Sequence, residues 1–273
     1  MSYVNMIRRA IKNLIHNDTE ADKKRYDIIY DNLRGLDKNQ LSNLLGLQTV
    51  DLFQRPLFIK YYSEIQKMLI NTELVVMELG AGFGRHTSVI ADCGVKLIVN
   101  DISESALEIN NRIHPNIYKS IASNMDAIPL PNQSIDVVIC CSSLSYADPK
   151  KVNREIFRLL KPGGHVIILD TLNHNPIYKI NRYIKVLTGA RGLSSVLRIP
   201  KMRRIRELQM HFEESEISYF GKWLWLTAPV IKRILNLKVL NKKIDTYGPN
   251  FLAFKFVMVS KSYSPNKQWT SRQ

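Results

Sequence analysis

At 273 residues, 45% of them hydrophobic, the chain is long enough to bury one α/β core with additions. Its three cysteines, two of them adjacent at Cys140 and Cys141, supply neither a disulfide framework nor a paired metal-ligand spacing, which points to a reducing, cytoplasmic compartment. No apolar run reaches signal-peptide or membrane-spanning length, so a soluble or peripheral protein is expected, and no metal site. The formal charge of +15 is unevenly placed: residues 1–16, 171–206 and 222–243 hold three, nine and six Lys or Arg and no Asp or Glu, and the rest is slightly acidic.

In chain order, Val4, Ile7, Ile11, Leu14 and Ile15 recur at helical spacing, and Phe53 to Leu69 repeats that pattern after a polar stretch. From Leu74 the rhythm changes to short apolar runs at Leu74 to Leu79, Lys96 to Asn100, Ile135 to Cys140 and His165 to Leu169. Helices are expected between them at about His86 to Asp92, Ser103 to Arg112 and Lys150 to Leu160, the last stopped by Lys161-Pro162-Gly163-Gly164. Such alternation predicts a doubly wound, mainly parallel sheet with crossover helices. After a basic insertion, strands are expected at Glu216 to Phe220 and Phe251 to Val259, with a helix at Pro229 to Leu240 between them. The expected organisation is an N-terminal helical cap (1–70), a Rossmann-like core (71–170), a basic helical insertion or lid (171–215), completion of the sheet with an inserted helix (216–260) and a flexible tail (261–273).

The run Glu78-Leu79-Gly80-Ala81-Gly82-Phe83-Gly84-Arg85 joins an expected strand to an expected helix. Glycines there let the backbone turn sharply and approach a ligand, beside unpaired N–H groups of the helix start. The G-x-G-x-G spacing departs from the dinucleotide fingerprint, and a bare tight turn is the competing reading. Asp101 ends the next apolar run, where a carboxylate can accept from ribose hydroxyls or merely cap a helix, a role open to Ser103 as well. Asn124-Met125-Asp126 lies before the following strand: its carboxylate can accept from an exocyclic amine and its thioether can lie on a ring, or the segment is an ordinary polar loop.

Taken together, ELGAGFGRHT, Asp101, MDAIPLPNQSIDVVICCSSLSY and EIFRLLKPGGHVIILD resemble, over roughly residues 74–170, the class I S-adenosylmethionine-dependent methyltransferase family in its small-molecule branch, which includes quinone-biosynthesis enzymes. The resemblance implies a seven-stranded sheet with an antiparallel last strand and S-adenosylmethionine as cofactor. It implies cofactor contacts at Glu78, Gly80, Ala81, Gly82, Gly84 and Arg85, with Asp101 and Ile102 at the ribose and Met125 and Asp126 at the adenine. Cys141, Ser142 and Ser143 would line the methyl-donor end. A weaker similarity, in Asp170 to Tyr178, SEISYFGKWLWL and FLAFKFVMVSK, to methyltransferases of bacterial surface-polysaccharide synthesis implies a glycan acceptor.

A sulfonium methyl is already electrophilic, so alignment and exclusion of water are the main demands, with a general base helping a hydroxyl acceptor. His174, in the loop after the fifth expected strand, is the candidate base; His86, at the start of the first helix after the glycines, is weaker. Tyr26, Tyr30, Tyr146, Asn173 and Arg182 are candidate acceptor contacts, the tyrosines having core packing as their alternative. Cys140 and Cys141 lack the preceding proline of a nucleophilic cysteine motif, so covalent catalysis is not expected.

The leading expectation is O-methylation of a sugar hydroxyl of a small-molecule or glycan acceptor, anionic or lipid-linked. Its rivals are C- or O-methylation of a quinone-like aromatic, and a basic RNA-binding protein without turnover; the post-strand loop lacks an Asn-Pro-Pro-Tyr-like run, which disfavours nucleic acid. Peripheral contact with anionic membrane, on the inner face, is the expectation from the N-terminal amphipathic pattern and from Lys222, Trp223 and Trp225, against core packing of the same residues.

Overall fold

The computed structural model describes residues 23–24, 26–45, 54–188, 192–222 and 250–264. The expected helices at 4–15 and 229–240, Trp223 and Trp225 lie outside them. Among the described residues, three helices precede the sheet: α1 (26–34), α2 (Lys38–Asn43) and α3 (Arg55–Met68). The alternation then runs β1 (Val75–Leu79), α4 (Thr87–Ala91), β2 (Lys96–Asp101), α5 (Glu104–Ile113), β3 (Lys119–Ala122), β4 (Ile135–Cys141), α6 (Pro149–Leu159) and β5 (Leu160–Thr171). Helices α7 (Pro176–Leu187), α8 (Leu193–Leu197) and α9 (Met202–Gln209) follow, then β6 (Phe212–Phe220) and β7 (Lys255–Tyr263).

The seven strands lie in the order β3-β2-β1-β4-β5-β7-β6, with β7 antiparallel to both neighbours and the other ladders parallel. This is the expected doubly wound, Rossmann-like sheet with its antiparallel last strand. Period-two alternation divides the core between its faces. Met77, Leu79, Val138, Cys140 and Ile168 pack with α6 and α9 residues such as Ile156 and Ile205. Val76, Val137, Ile139 and Ile167 meet Leu57, Tyr61 and Ile65 of α3, Ile90 of α4 and Leu107 of α5. Thus α3 buries its stripe against the sheet, whereas α1 and α2 pack outside it, with Leu41 against Ile109 and Ile113.

Several boundaries differ from the sequence reading. β3 was not expected, because Lys119-Ser120-Ile121-Ala122 buries one side chain only, Ile121. β5 starts at Leu160 and runs through the Pro-Gly-Gly segment, with a register irregularity opposite Ile135 and Val137 that Gly163 (φ +79°) accommodates. β6 begins four residues earlier than expected, since an outermost strand tolerates exposed Glu213 and Glu214. β7 begins later, after a 3-10 turn at Asn250–Leu252, and residues 261–263 complete it and are not tail.

Candidate active site

The carboxyl ends of β1, β2 and β4 open into a cleft of about 190 Å³ between the glycine loop and α1. Parallel strands leave their last residues facing the crevice at the reversal of strand order, which here lies between β1 and β4. Of the residues expected from sequence, the cleft brings together Gly80, Gly82, Asp101, Ile102, Met125, Cys141, Ser142, Ser143, Tyr26, Tyr30 and Tyr146. Asn124, from the run singled out with Met125, joins the lining, and Lys23, Asn100, Ser123 and Ala147, which were not anticipated, complete it.

The loop geometry is specific. Gly80, Gly82 and Gly84 have φ of +66°, +54° and +96°, a region costly for residues with a Cβ. A Cβ on Gly80 would meet Ser143 Cβ at 2.4 Å, and one on Gly84 would meet Asn110 Oδ1 at 2.5 Å. These two glycines therefore serve close packing of the loop against β4 and α5. Gly82 differs: its Cβ direction points into the cleft, 3.0 Å from the Tyr30 hydroxyl. It leaves room for a ligand to approach the backbone.

Asp101 binds that loop directly, accepting from Gly82 N–H at 2.8 Å and Ser103 N–H at 3.0 Å. Burial pushes its carboxyl upward, and backbone N–H donors oppose that shift in part. A carboxylate offers about four acceptor positions, so capacity remains for a ligand hydroxyl. Ser103 supplies the α5 cap, accepting from Ala106 N–H at 3.2 Å, which leaves Asp101 for the cleft. Asn100 was passed over because its run ends in apolar context, yet its amide joins β2 to the β3 end, donating to Ile121 O (3.1 Å) and Ser123 O (2.9 Å).

Glu78, Ala81, Gly84, Arg85 and Asp126 are not on the lining. Glu78 is 2% exposed beneath the loop and accepts from Thr87 Oγ1 at 2.6 Å; burial pushes its carboxyl up to about 8. It stabilises the loop from below. Arg85 reaches away, to Leu44 O at 3.1 Å. Ala81 N–H donates to Asn100 O at 2.9 Å, tying the loop to β2.

The end of β4 is shaped by Ser142, a non-glycine residue at φ +56°, and by Ser143, whose hydroxyl donates to Leu79 O at 2.9 Å. Burial pushes the Cys140 thiol to about 12 and raises Cys141 as well, so both stay protonated and poor nucleophiles at neutral pH. α1 closes the opposite side. The Tyr26 and Tyr146 hydroxyls are hydrogen-bonded at 2.5 Å, Ser103 donates to Asp27 at 2.5 Å, and Tyr30 lies over Gly82. Desolvation, then the Asp101 charge, raises the Tyr30 phenol, which stays protonated.

His174, Asn173 and Arg182 are placed elsewhere. His174 Nε2 accepts from Met202 N–H at 2.9 Å, and burial with Lys179 and Lys201 lowers its pKa. A ring nitrogen occupied by a backbone donor cannot also take a substrate proton. Arg182 donates to Asn173 Oδ1 (3.0 Å) and Leu172 O (2.9 Å), so these two brace the base of α7. His86 stacks on Phe58 with centroids 5.4 Å apart and pairs with Tyr62 Oη at 2.9 Å, its pKa pulled down to about 3 by desolvation. It packs α4 on α3.

Comparison with known proteins agrees with this geometry. Residues 77–168 match a family described as "Methyltransferase domain". An uncharacterised methyltransferase-like protein of Schizosaccharomyces pombe is 30% identical over 122 residues, covering 44% of this chain and 47% of its own length. The chain spans about half the length of the two fission-yeast relatives it matches. A ubiquinone biosynthesis O-methyltransferase of Pseudomonas fluorescens is 28% identical over 181 residues, 64% of this chain and 68% of that one. Among solved structures, geranyl diphosphate C-methyltransferase from Streptomyces coelicolor shares the fold, with TM-score 0.52 and 14% identity over 76% of this chain and 81% of that one. Residues 77–168 thus form a methyltransferase domain of the class I, S-adenosylmethionine-dependent kind.

Proposed function

We propose that the chain transfers the methyl group of S-adenosylmethionine to the hydroxyl of a small lipophilic aromatic acceptor of the quinone-precursor type. The observation that carries this reading is the wall next to Ser142 and Ser143: the Tyr26–Tyr146 hydroxyl pair, Ala147 and Cys141, with Lys23 on the same lining and no histidine among the described lining residues. An alkyl hydroxyl, as on a sugar, depends on a base in the transition state. A phenol ionises near pH 10 in water and less basic conditions suffice beside an ammonium, so Lys23 can favour the phenolate without a histidine. The similarity to a ubiquinone biosynthesis O-methyltransferase supports the same class.

In this reading the cofactor supplies an electrophilic methyl on sulfur. Gly82 would admit it, Asp101 would accept from its ribose, Met125 would lie against its adenine, and α1 would exclude water. The Tyr26 and Tyr146 hydroxyls orient the acceptor oxygen. The test offers methyl-labelled S-adenosylmethionine with catechols, with hydroxylated benzoates and with nucleotide sugars, and reads the methylated product by mass. Methylated phenols, lost in Lys23→Ala, are expected. Product from sugars alone would replace this reading by the glycan one.

A further inference from the structure

α7 turns one cation inward and an apolar stripe outward. An amphipathic helix in water buries its apolar stripe and exposes its charges. α7 buries Arg182, 5% exposed, which is held by Asn173 and Leu172 and lies over the Phe254 ring, while Tyr178 stacks on the same ring at 4.1 Å. Its outer side presents Ile180, Tyr183, Ile184 and Leu187, which are 63%, 41%, 52% and 86% exposed. Their spacing of i, i+3, i+4 and i+7 makes one continuous stripe. α8, in contact with α7, adds Leu193 and Leu197, 40% and 49% exposed.

The charge around this stripe has one sign. Lys179 and Lys185 are exposed beside it, Lys201, Arg203 and Arg206 are exposed on the following segment, and residues 171–206 contain no Asp or Glu. We propose that the α7–α8 face docks on the surface of an anionic lipid bilayer, with the stripe at the acyl boundary and the lysines among the headgroups. Lipid phosphates supply the negative charge that this face lacks. A second copy of the chain does not: a two-fold contact would set Lys179 and Lys185 against their own copies. α8 also packs against the turn Leu144–Tyr146, so docking brings the cleft wall carrying Tyr146 close to the bilayer. The proposal stands whichever acceptor is used, because vesicle binding is read without turnover.

The test sediments the full chain with phosphatidylcholine vesicles, with and without phosphatidylglycerol, at low and high salt. Binding should require phosphatidylglycerol and fall with salt. The triple variant Ile180→Ser, Ile184→Ser, Leu187→Ser should lose about tenfold or more in affinity. Lys179→Ala and Lys185→Ala should each cost about fivefold. The triple variant should keep its S-adenosylhomocysteine affinity and melting temperature. Absence of wild-type binding, or equal binding by the triple variant, overturns the proposal. So does a lowered melting temperature in that variant, which means that the stripe is packed against another segment of this chain, or a wild-type dimer that the variant dissolves.

Discussion

At the residue scale, the three glycines of one motif have separate tasks. Gly80 and Gly84 face neighbouring elements, and Gly82 faces the cleft. Gly82→Val places a branched side chain at φ +54° against the Tyr30 hydroxyl, so S-adenosylhomocysteine affinity should fall by at least about tenfold on strain of about 1–3 kcal/mol. Calorimetric titration checks this, and an unchanged Kd would remove the loop from the cofactor site. Glu78 gives a pH prediction. Its carboxyl is raised from 4.5 to about 8, so between those values the folded state binds a proton that the unfolded chain releases. Its stabilising contribution is fully present below the lower value and is lost as pH rises through about 8. His86, lowered to about 3, acts in the opposite sense below its ordinary value, so the useful quantity is a difference. Glu78→Gln should gain melting temperature relative to wild type from pH about 5 to pH about 8 in scanning calorimetry of the ligand-free protein. A constant difference would mean that Glu78 is ionised in the fold.

At the element scale, the cleft depends on how α1 is fastened. Arg112 of α5 donates to Arg34 O (2.8 Å) and Leu36 O (2.9 Å), using a cation on the carbonyls that a helix C-terminus leaves open. Asp27 and Tyr26 fasten the other side through Ser103 and Tyr146. Arg112→Ala should therefore free α1 while costing the exposed pair of bonds only about 1 kcal/mol. Hydrogen exchange by mass spectrometry should quicken over residues 26–34 and not over β1 or β4, and bound S-adenosylhomocysteine should dissociate faster. Unchanged dissociation would show that α1 is a wall the cofactor does not cross. The elements themselves were legible to different degrees. β1, β2 and β4 are continuous apolar runs because both faces of the sheet are covered, whereas β3 and β6 lie at its two edges and carry polar residues that no apolar pattern marks.

At the scale of the whole molecule, ligand binding should appear as stability. A cofactor that binds the native state alone adds about 2.7 kcal/mol at a hundredfold excess over Kd, which for a chain of this size is a rise in melting temperature of about 5–10 °C. S-adenosylhomocysteine should produce that rise in wild type and a much smaller one in Asp101→Ala, whose loop loses both the Gly82 and Ser103 bonds. Equal shifts in the two proteins would place the ligand elsewhere.

The sequence by itself determined most of the sheet and its crossover helices, because apolar runs and helical spacing are local demands that the residue order records, and the cofactor class followed from the family that its glycines and strand-end carboxylate resemble. It also carried the tyrosines, though without their partners. Tertiary structure alone decided which of these residues share the cleft. Tyr26 and Tyr146 are 120 positions apart, and a hydrogen bond between them exists only once α1 crosses the sheet edge. His174 has the right residue type at the right strand end, yet packing of α9 gives its Nε2 to Met202 N–H. Arg182 was expected to contact the acceptor, and Phe254 and Asn173 hold it inside the fold away from the cleft, leaving isoleucines outside. Helical periodicity states that a helix has two faces; which one is buried depends on the surface it meets.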